Sequence, residues 1–266
     1  MTEIVYLSPH FDDVALSCGG AVHEDARAGR APLVVTVCAA PPEDGVGLSD
    51  FCREIHAAMG LGDDVVSARR DEDREAMRIL GARTAWLDVA DAIYRRDPRD
   101  GTWLYADDAA LVGPLASADQ PLVARIVERL CRLAEVGTHS SFRAPLAVGH
   151  HVDHQLVHRV GLALRRLGHE VLFYEDFPYA DPSFEWQPGA AHPRPLAEAV
   201  AALDGRPARA QPRTLGPEAL DARVRAIHAY ASQWPWIFDS AADLALRVHR
   251  HARSHDPTTW QERFWA

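Results

Sequence analysis

The feature that most restricts the fold is a series of short apolar runs set between helical stretches. Leu33-Val34-Val35-Thr36-Val37-Cys38 is the clearest, a run rich in β-branched residues. Ile4-Val5-Tyr6-Leu7 is a second, stopped by Ser8-Pro9. Strands of this kind carry no polar alternation and belong in a parallel sheet buried on both faces. Thr84 to Val89, Leu146 to Gly149 and Val171 to Tyr174 read as further strands. Helical patterns separate them: Val14 to Ala28 (interrupted at Cys18-Gly19-Gly20), Phe51 to Met59, Asp71 to Leu80 with Gly81 as C-cap, Pro121 to Ala134, and His154 to Leu167. Alternation of this sort predicts an α/β fold, a Rossmann-like and mostly parallel sheet with helices on both faces.

Residues 94–118 form an irregular segment in which Trp103 and Tyr105 could line a cleft. The texture changes after Phe177. Residues 181–217 carry many prolines, and a last helix from about Pro217 to Ser232 leads into Trp234-Pro235-Trp236-Ile237-Phe238, a core element or a contact surface for a homo-oligomer. The expected organisation is a core over 1–180 and a Pro-rich, helical C-terminal appendage over 181–266 packed on it, one domain overall.

A chain of 266 residues with 47% hydrophobic residues can bury a core without disulfides or a structural metal, so a bound metal would be catalytic. The net charge of −10, with no basic cluster, excludes a broad electrostatic grip on nucleic acid or anionic lipid. No apolar run approaches the roughly 18 residues of a membrane span. The N-terminus lacks the pattern of a signal peptide. Cys18, Cys38, Cys52 and Cys131 fit no C-x-x-C pattern, as expected of reduced thiols in a cytoplasm.

Two clusters carry chemistry. Ser8-Pro9-His10-Phe11-Asp12-Asp13 follows the first strand, at the carboxyl end where open α/β sheets bind ligands. Its imidazole and adjacent carboxylates suit a zinc ion, and two neighbouring carboxylates can divide metal binding from proton transfer. Taken alone, the aspartates could equally be helix N-caps. His150-His151-Val152-Asp153-His154 follows another apolar stretch. His151 and His154 can face one cavity from a helix start, and Asp153 can orient an imidazole. His158, one turn beyond His154, and His150 read as surface histidines before they read as ligands. Together the clusters offer two histidines and one aspartate with room for water, the pattern of a catalytic zinc site.

Pro9-His10-x-Asp12-Asp13, then Gly19-Gly20, and His151-x-Asp153-His154 downstream resemble the PIG-L / LmbE-like family of zinc-dependent N-deacetylases. The resemblance spans roughly residues 4–175. It implies removal of an acetyl group from an N-acetylated amino sugar (an N-acetylglucosamine-type sugar or glycoconjugate) as the small-molecule partner. It also implies Zn2+, or another divalent ion, held by His10, Asp13 and His154. Asp12 would be the general base and His151 the electrostatic or acid partner, with Asp153 holding His151 in its tautomer and favouring its charged form.

The same resemblance points to Arg69 or Arg70, and to Asp91, for binding sugar hydroxyls or phosphate. Tyr94 and Arg95 would share that pocket, and Glu175-Asp176 would close a strand at the same sheet edge. Phe11 replaces a proline more usual in the family. Gly149 stands where some relatives place a tyrosine, a role that would then fall to another residue such as Tyr174 or Tyr230. Two further readings stay open: an amidase on a larger thiol or sugar conjugate, and a non-catalytic metal- or sugar-binding relative. The second is disfavoured by the retention of Asp12 and His151. A nucleotide-binding protein is disfavoured because no G-x-G-x-x-G follows the first strand.

Overall fold

The computed structural model describes residues 3–61, 64–133, 136–137, 140–185, 194–203 and 208–266. Its elements run β1 (Ile4–Ser8), α1 (Asp13–Arg27), β2 (Leu33–Thr36), α2 (Asp50–Met59), α3 (Val65–Leu80), β3 (Arg83–Trp86), α4 (Asp108–Leu111) and α5 (Gln120–Arg132). They continue with β4 (Ser141–Pro145), α6 (Val152–Arg166), β5 (Glu170–Tyr174), α7 (Leu196–Ala201), β6 (Ala210–Leu215), α8 (Pro217–Ala229), α9 (Ala241–Ala252) and β7 (Trp260–Trp265). The sheet order is β3-β2-β1-β4-β5-β7-β6. The first five of these strands are parallel, whereas β7 is antiparallel to both β5 and β6. This is the α/β sheet expected from the sequence. Among the described residues no helix is long and apolar enough to cross a membrane.

Side chains alternate across the sheet into two layers. Val5, Leu7, Leu33 and Val35 join the layer that contains α5 and α6, and Ile4, Tyr6 and Val34 join the layer of α1, α3, α8 and α9. Burial of these apolar side chains in both layers supplies hydrophobic stabilisation. Some boundaries differ from expectation, among them the third strand, which is Arg83–Trp86 and not Thr84 to Val89. The fourth strand is Ser141–Pro145, not Leu146–Gly149. Leu146, Ala147 and Val148 are fully buried, but Ala147 (φ 61°) and Gly149 (φ 81°) turn the backbone out of the sheet. Helix α3 begins at Val65, where Asp64 caps it by accepting from Ser67 N at 3.1 Å. The expected end of α5 at Ala134 lies outside the described residues, as do 186–193 and 204–207 within the Pro-rich segment.

The C-terminal part is helical as expected, and it also completes the sheet through β6 and β7. One contact explains why it must dock. Helix α1 is kinked at Cys18 (φ −145°, ψ 27°), which frees a carbonyl before the kink and two amides after it. Glu262 on β7 accepts from Gly20 N (3.0 Å) and Ala21 N (2.7 Å). Arg223 on α8 donates from Nε to Leu16 O at 3.1 Å and stands 3.3 Å from Glu262 through Nη1. Both side chains are buried. Gly20 is required there, because a Cβ would lie 2.6 Å from Leu215 Cδ1 and 2.9 Å from Glu262 Oε1. Removing one partner of such a pair strands the other charge in the core. Glu262→Ala is therefore expected to lower the unfolding free energy by about 3–5 kcal/mol in urea titrations; a loss below about 1 kcal/mol would mean that the kink is held by packing alone.

Candidate metal centre

The chain runs outward from β1 to β2 and β3, then crosses back to lay β4 on the other side of β1. The loops that follow β1 and β4 therefore open away from each other and leave a crevice at the switch point. The β1 loop is held by Ser8, whose hydroxyl donates to His10 O (2.5 Å) and accepts from Val14 N (3.1 Å). After β4 the backbone reverses through Ala147, Gly149 and His150, all with positive φ. Gln155 fastens that turn by donating to His150 O (2.6 Å) and Gly113 O (2.7 Å). Helix α6 then starts at Val152 with His151 as N-cap. Sequence-distant clusters thus meet because two adjacent parallel strands deliver them to one edge.

Asp13 is the centre of the resulting group. Its Oδ2 lies 3.2 Å from His10 Nδ1, and its Oδ1 lies 3.2 Å from His154 Nε2. The far nitrogen of each imidazole meets another carboxylate: His10 Nε2 is 3.0 Å from Asp153 Oδ2, and His154 Nδ1 is 2.6 Å from Asp176 Oδ1. That arrangement fixes a proton on the outer nitrogen of each ring, so the inner nitrogen, which faces Asp13, is the one that would become a ligand once a metal displaces its proton. Ligand atoms of His10, Asp13 and His154 all lie within 4.8 Å of one another. A second grouping, His10, His151 and Asp153, meets the same distance limit. It is the weaker donor set, since Asp153 already accepts from Arg95 Nη1 and from Ala92 N (2.9 Å). Two imidazoles and a carboxylate suit a divalent transition metal.

The remaining residues fall into place around this group. Asp12 faces the cavity with its Oδ1 3.3 Å from Arg69 Nη2, and Arg69 stacks on Phe11. Asp91 lines the same cavity, 3.7 Å from His10 Nε2. Arg70 does not line it: it donates to Ala39 O (2.8 Å) and covers Trp86, so it braces the β2 loop. Arg95 is buried between Asp153 and Asp119. Tyr94 is held by His56, 2.6 Å away. Tyr105 is a core residue that donates to Asp119 (2.7 Å), whereas Trp103 lines a separate cleft. Glu175 pairs with Arg263 and Trp265 on β7, away from the metal group. His150 and His158 each sit against a backbone carbonyl, of Val112 and Pro145.

Asp153 departs from expectation, because its carboxylate serves His10 while its backbone N–H donates to His151 Nδ1 at 3.2 Å. Burial, with the nearby His10 and His154 charges, pushes the His151 pKa down to about 3, and because Nδ1 accepts from Asp153 N, the neutral ring would carry its proton on Nε2. Tyr174 and Tyr230 hold the backbone at Leu7 and Phe11 instead of facing the cavity. The tyrosine that does line it is Tyr179, missed in the sequence because it lies 30 positions after Gly149. Its ring packs where a Cβ on Gly149 would come within 2.6 Å of Cγ and Cδ1, and 5.7 Å from the His154 ring.

Charge sets the protonation states. Burial opposes a charge on His154, but Asp13 and the hydrogen bonds to Asp13 and Asp176 outweigh it and raise its pKa to about 10. Burial likewise works against ionised Asp13, yet His154 and His10 hold it well below the usual carboxylate range. Asp12 goes the other way: burial, aided by Asp13 and opposed by Arg69, raises its pKa.

Residues 5–165 match the PIG-L family, described as GlcNAc-PI de-N-acetylase. A 2'-N-acetylparomamine deacetylase of Niallia circulans is 32% identical over 186 residues, 66% of this chain and 66% of that protein. A 2'-N-acetylparomamine deacetylase of Streptomyces fradiae is 37% identical over 178 residues, 65% of this chain and 56% of that one. The chain thus spans somewhat under two thirds of these curated relatives. The zinc-inhibited form of teicoplanin deacetylase Orf2 superposes with a TM-score of 0.81 at 27% identity, covering 99% of this chain and 97% of that one. Cluster and neighbour together support a divalent metal.

A metal must displace the His154 proton, which the free protein retains up to a pH of about 10. Metal uptake should therefore release protons, and apparent affinity should climb as pH rises from 6 toward 10. Calorimetry in buffers of different ionisation heat checks this, and binding without proton release would contradict the charge assignment. Asp176→Asn should weaken the metal by roughly 10–100-fold.

Proposed function

The chain belongs to the PIG-L family, and on that premise we propose that it hydrolyses the N-acetyl group of an N-acetylated amino sugar, with zinc as its metal. The observation that carries this reading is the pairing of Asp13, shared between two carboxylate-oriented imidazoles, with Asp12 beside it at the cavity floor. His10, Asp13 and His154 would hold the metal. A divalent ion there supplies Lewis acidity that makes water acidic near neutral pH. The relatives that deacetylate 2'-N-acetylparomamine support the substrate class.

The chain's own groups perform the proton movements. Asp12 accepts a proton from the attacking water; its raised pKa lets it pass that proton to the leaving amine, so acetate and free amine are the products. Arg69 holds the Asp12 carboxylate in place. His151 is neutral with its Nδ1 occupied, so its Nε2–H is the donor for the acetamide oxygen as charge builds there. Asp153 acts through His10 as a positioning residue. Asp91 and Arg69, both at the cavity wall, bind sugar hydroxyls. The chain works as one domain in the cytoplasm, with 181–266 closing the sheet of the catalytic core.

Asp12→Asn is expected to keep one metal per chain and to lower kcat by roughly 10²–10⁴, measured as amine release from a panel of N-acetylated amino sugars. Asp13→Ala should lose the metal. A near-normal rate in Asp12→Asn would remove Asp12 from proton transfer, and a wild-type protein that binds metal but deacetylates no amino sugar would overturn the substrate assignment.

A further inference from the structure

Two segments from the C-terminal half line the cavity that holds the metal group. The first, 176–184, begins at Asp176, which holds His154 Nδ1, and contributes Pro178, Tyr179 and Phe184. The second, 233–238, contributes Gln233, Trp236 and Ile237. Each is folded by its own turns: Phe184 N donates to Asp181 O (2.9 Å), and Phe238 N donates to Trp234 O (3.0 Å). Turns of that kind shape each segment without fixing its distance from the other. Phe177, which stacks on Phe238 with 6.1 Å between ring centres, makes one contact across the gap, but neither ring lines the cavity.

Arg247 on α9 touches both segments. Its Nη1 donates to Ile237 O at 3.1 Å, and its Nη2 stands 3.9 Å from Asp181 Oδ2. The guanidinium also lies over Phe184 of the first segment (5.6 Å to the ring centre) and over Phe238 of the second (5.4 Å). One planar cation thus meets a carboxylate, a carbonyl and two rings, a use to which the flat fork of arginine is suited and the point charge of lysine is not. The side chain is only 14% exposed, so salt and water screen it little. Its platform is firm: Leu244, Val248 and Ala252 bury one face of α9 in the core, and Ser240 caps the helix by accepting from Asp243 N (3.1 Å). Arg250, three residues on, behaves differently. It is half exposed, pairs with Asp181 at 2.9 Å and with Ser183, and among the described residues reaches the first segment alone.

We infer that Arg247 is a positioning residue that clamps the two segments together and so sets the width of the cavity before substrate arrives. This rests on the deacetylase reading above. Walls that are already ordered spare the substrate the cost of ordering them, and that cost falls on binding. The reacting groups sit on other elements, His10, Asp12 and Asp13 after β1 and His151 and His154 at the start of α6. Loosening the clamp therefore raises KM and leaves kcat near its normal value. The effect is separable from unfolding. When Arg247 is removed, Asp181 keeps Arg250 and both the N–H and the hydroxyl of Ser183, so no buried carboxylate is stranded.

The test pairs amide hydrogen exchange on the metal-loaded protein without substrate with steady-state kinetics on the N-acetylated amino sugar that the wild type cleaves fastest. Arg247→Met should speed exchange in both 178–184 and 234–238 by roughly tenfold, and Arg250→Met in 178–184 alone. KM in Arg247→Met should rise roughly tenfold, with kcat within about threefold of wild type and the metal retained. Exchange that rises in one segment only, or in neither, overturns the clamp. So does a kcat reduced by more than KM is raised, or no change in either constant. Arg247→Lys keeps the charge without the flat fork and should show the same pattern more weakly; it decides by the same criteria if Arg247→Met does not fold. Should the wild type cleave no amino sugar, the reaction assignment fails, and the exchange pattern alone upholds or overturns the clamp.

Discussion

Asp13 is the residue on which the arrangement turns. One carboxylate placed between two buried imidazoles holds both in charged form and is itself held far below its ordinary pKa. Such a group could not persist in the interior without compensation on every side. The compensation is visible as a chain of contacts: Asp176 behind His154, Asp153 behind His10, Arg95 behind Asp153, and Asp119 with Tyr105 behind Arg95. A loop that looks irregular in sequence, 94–118, thus contributes Arg95 and Tyr105 to the support of the metal group, and Asp119 follows directly after it.

The parallel sheet makes this possible. Because β1 and β4 are neighbours, residues separated by more than a hundred positions share one crevice, and the rigidity of the strands fixes their spacing. The C-terminal strands do the same for the other end of α1. Glu262 and Arg223 satisfy the backbone groups opened by the Cys18 kink, so the helix that carries Asp13 is anchored at both its first turn and its middle. Core and C-terminal part are therefore joined through buried charge as well as apolar contact.

Much of this was legible in the sequence. The strands buried on both faces announce themselves by β-branched runs, and the two His/Asp clusters stand directly after strands. The harder parts share a cause, which is that tertiary context decides them. Ser141–Pro145 carries serine, arginine and a proline on a strand whose core-forming members are Phe142 and Ala144, so the apolar run just after it looks more strand-like. β7 mixes Glu262 and Arg263 with aromatic residues, because its polar side chains cap α1 and pair with Glu175. Arg70 and Arg69 are adjacent in sequence, but successive helix positions face about 100° apart, and only Arg69 reaches the crevice. Asp153 was placed in the right neighbourhood and on the wrong histidine, a distinction that no spacing rule can make.

Gly149 and Tyr179 occupy one volume between them. The glycine takes a positive φ that disfavours a side chain, and the aromatic ring fills the space where that side chain would begin. A tyrosine moved to position 149 would have to evict the one at 179, and shrinking 179 alone would open a void beside His154. The two positions are an epistatic pair: a sequence can present its cavity tyrosine from one loop or from the other, and a path between the two solutions passes through a double change.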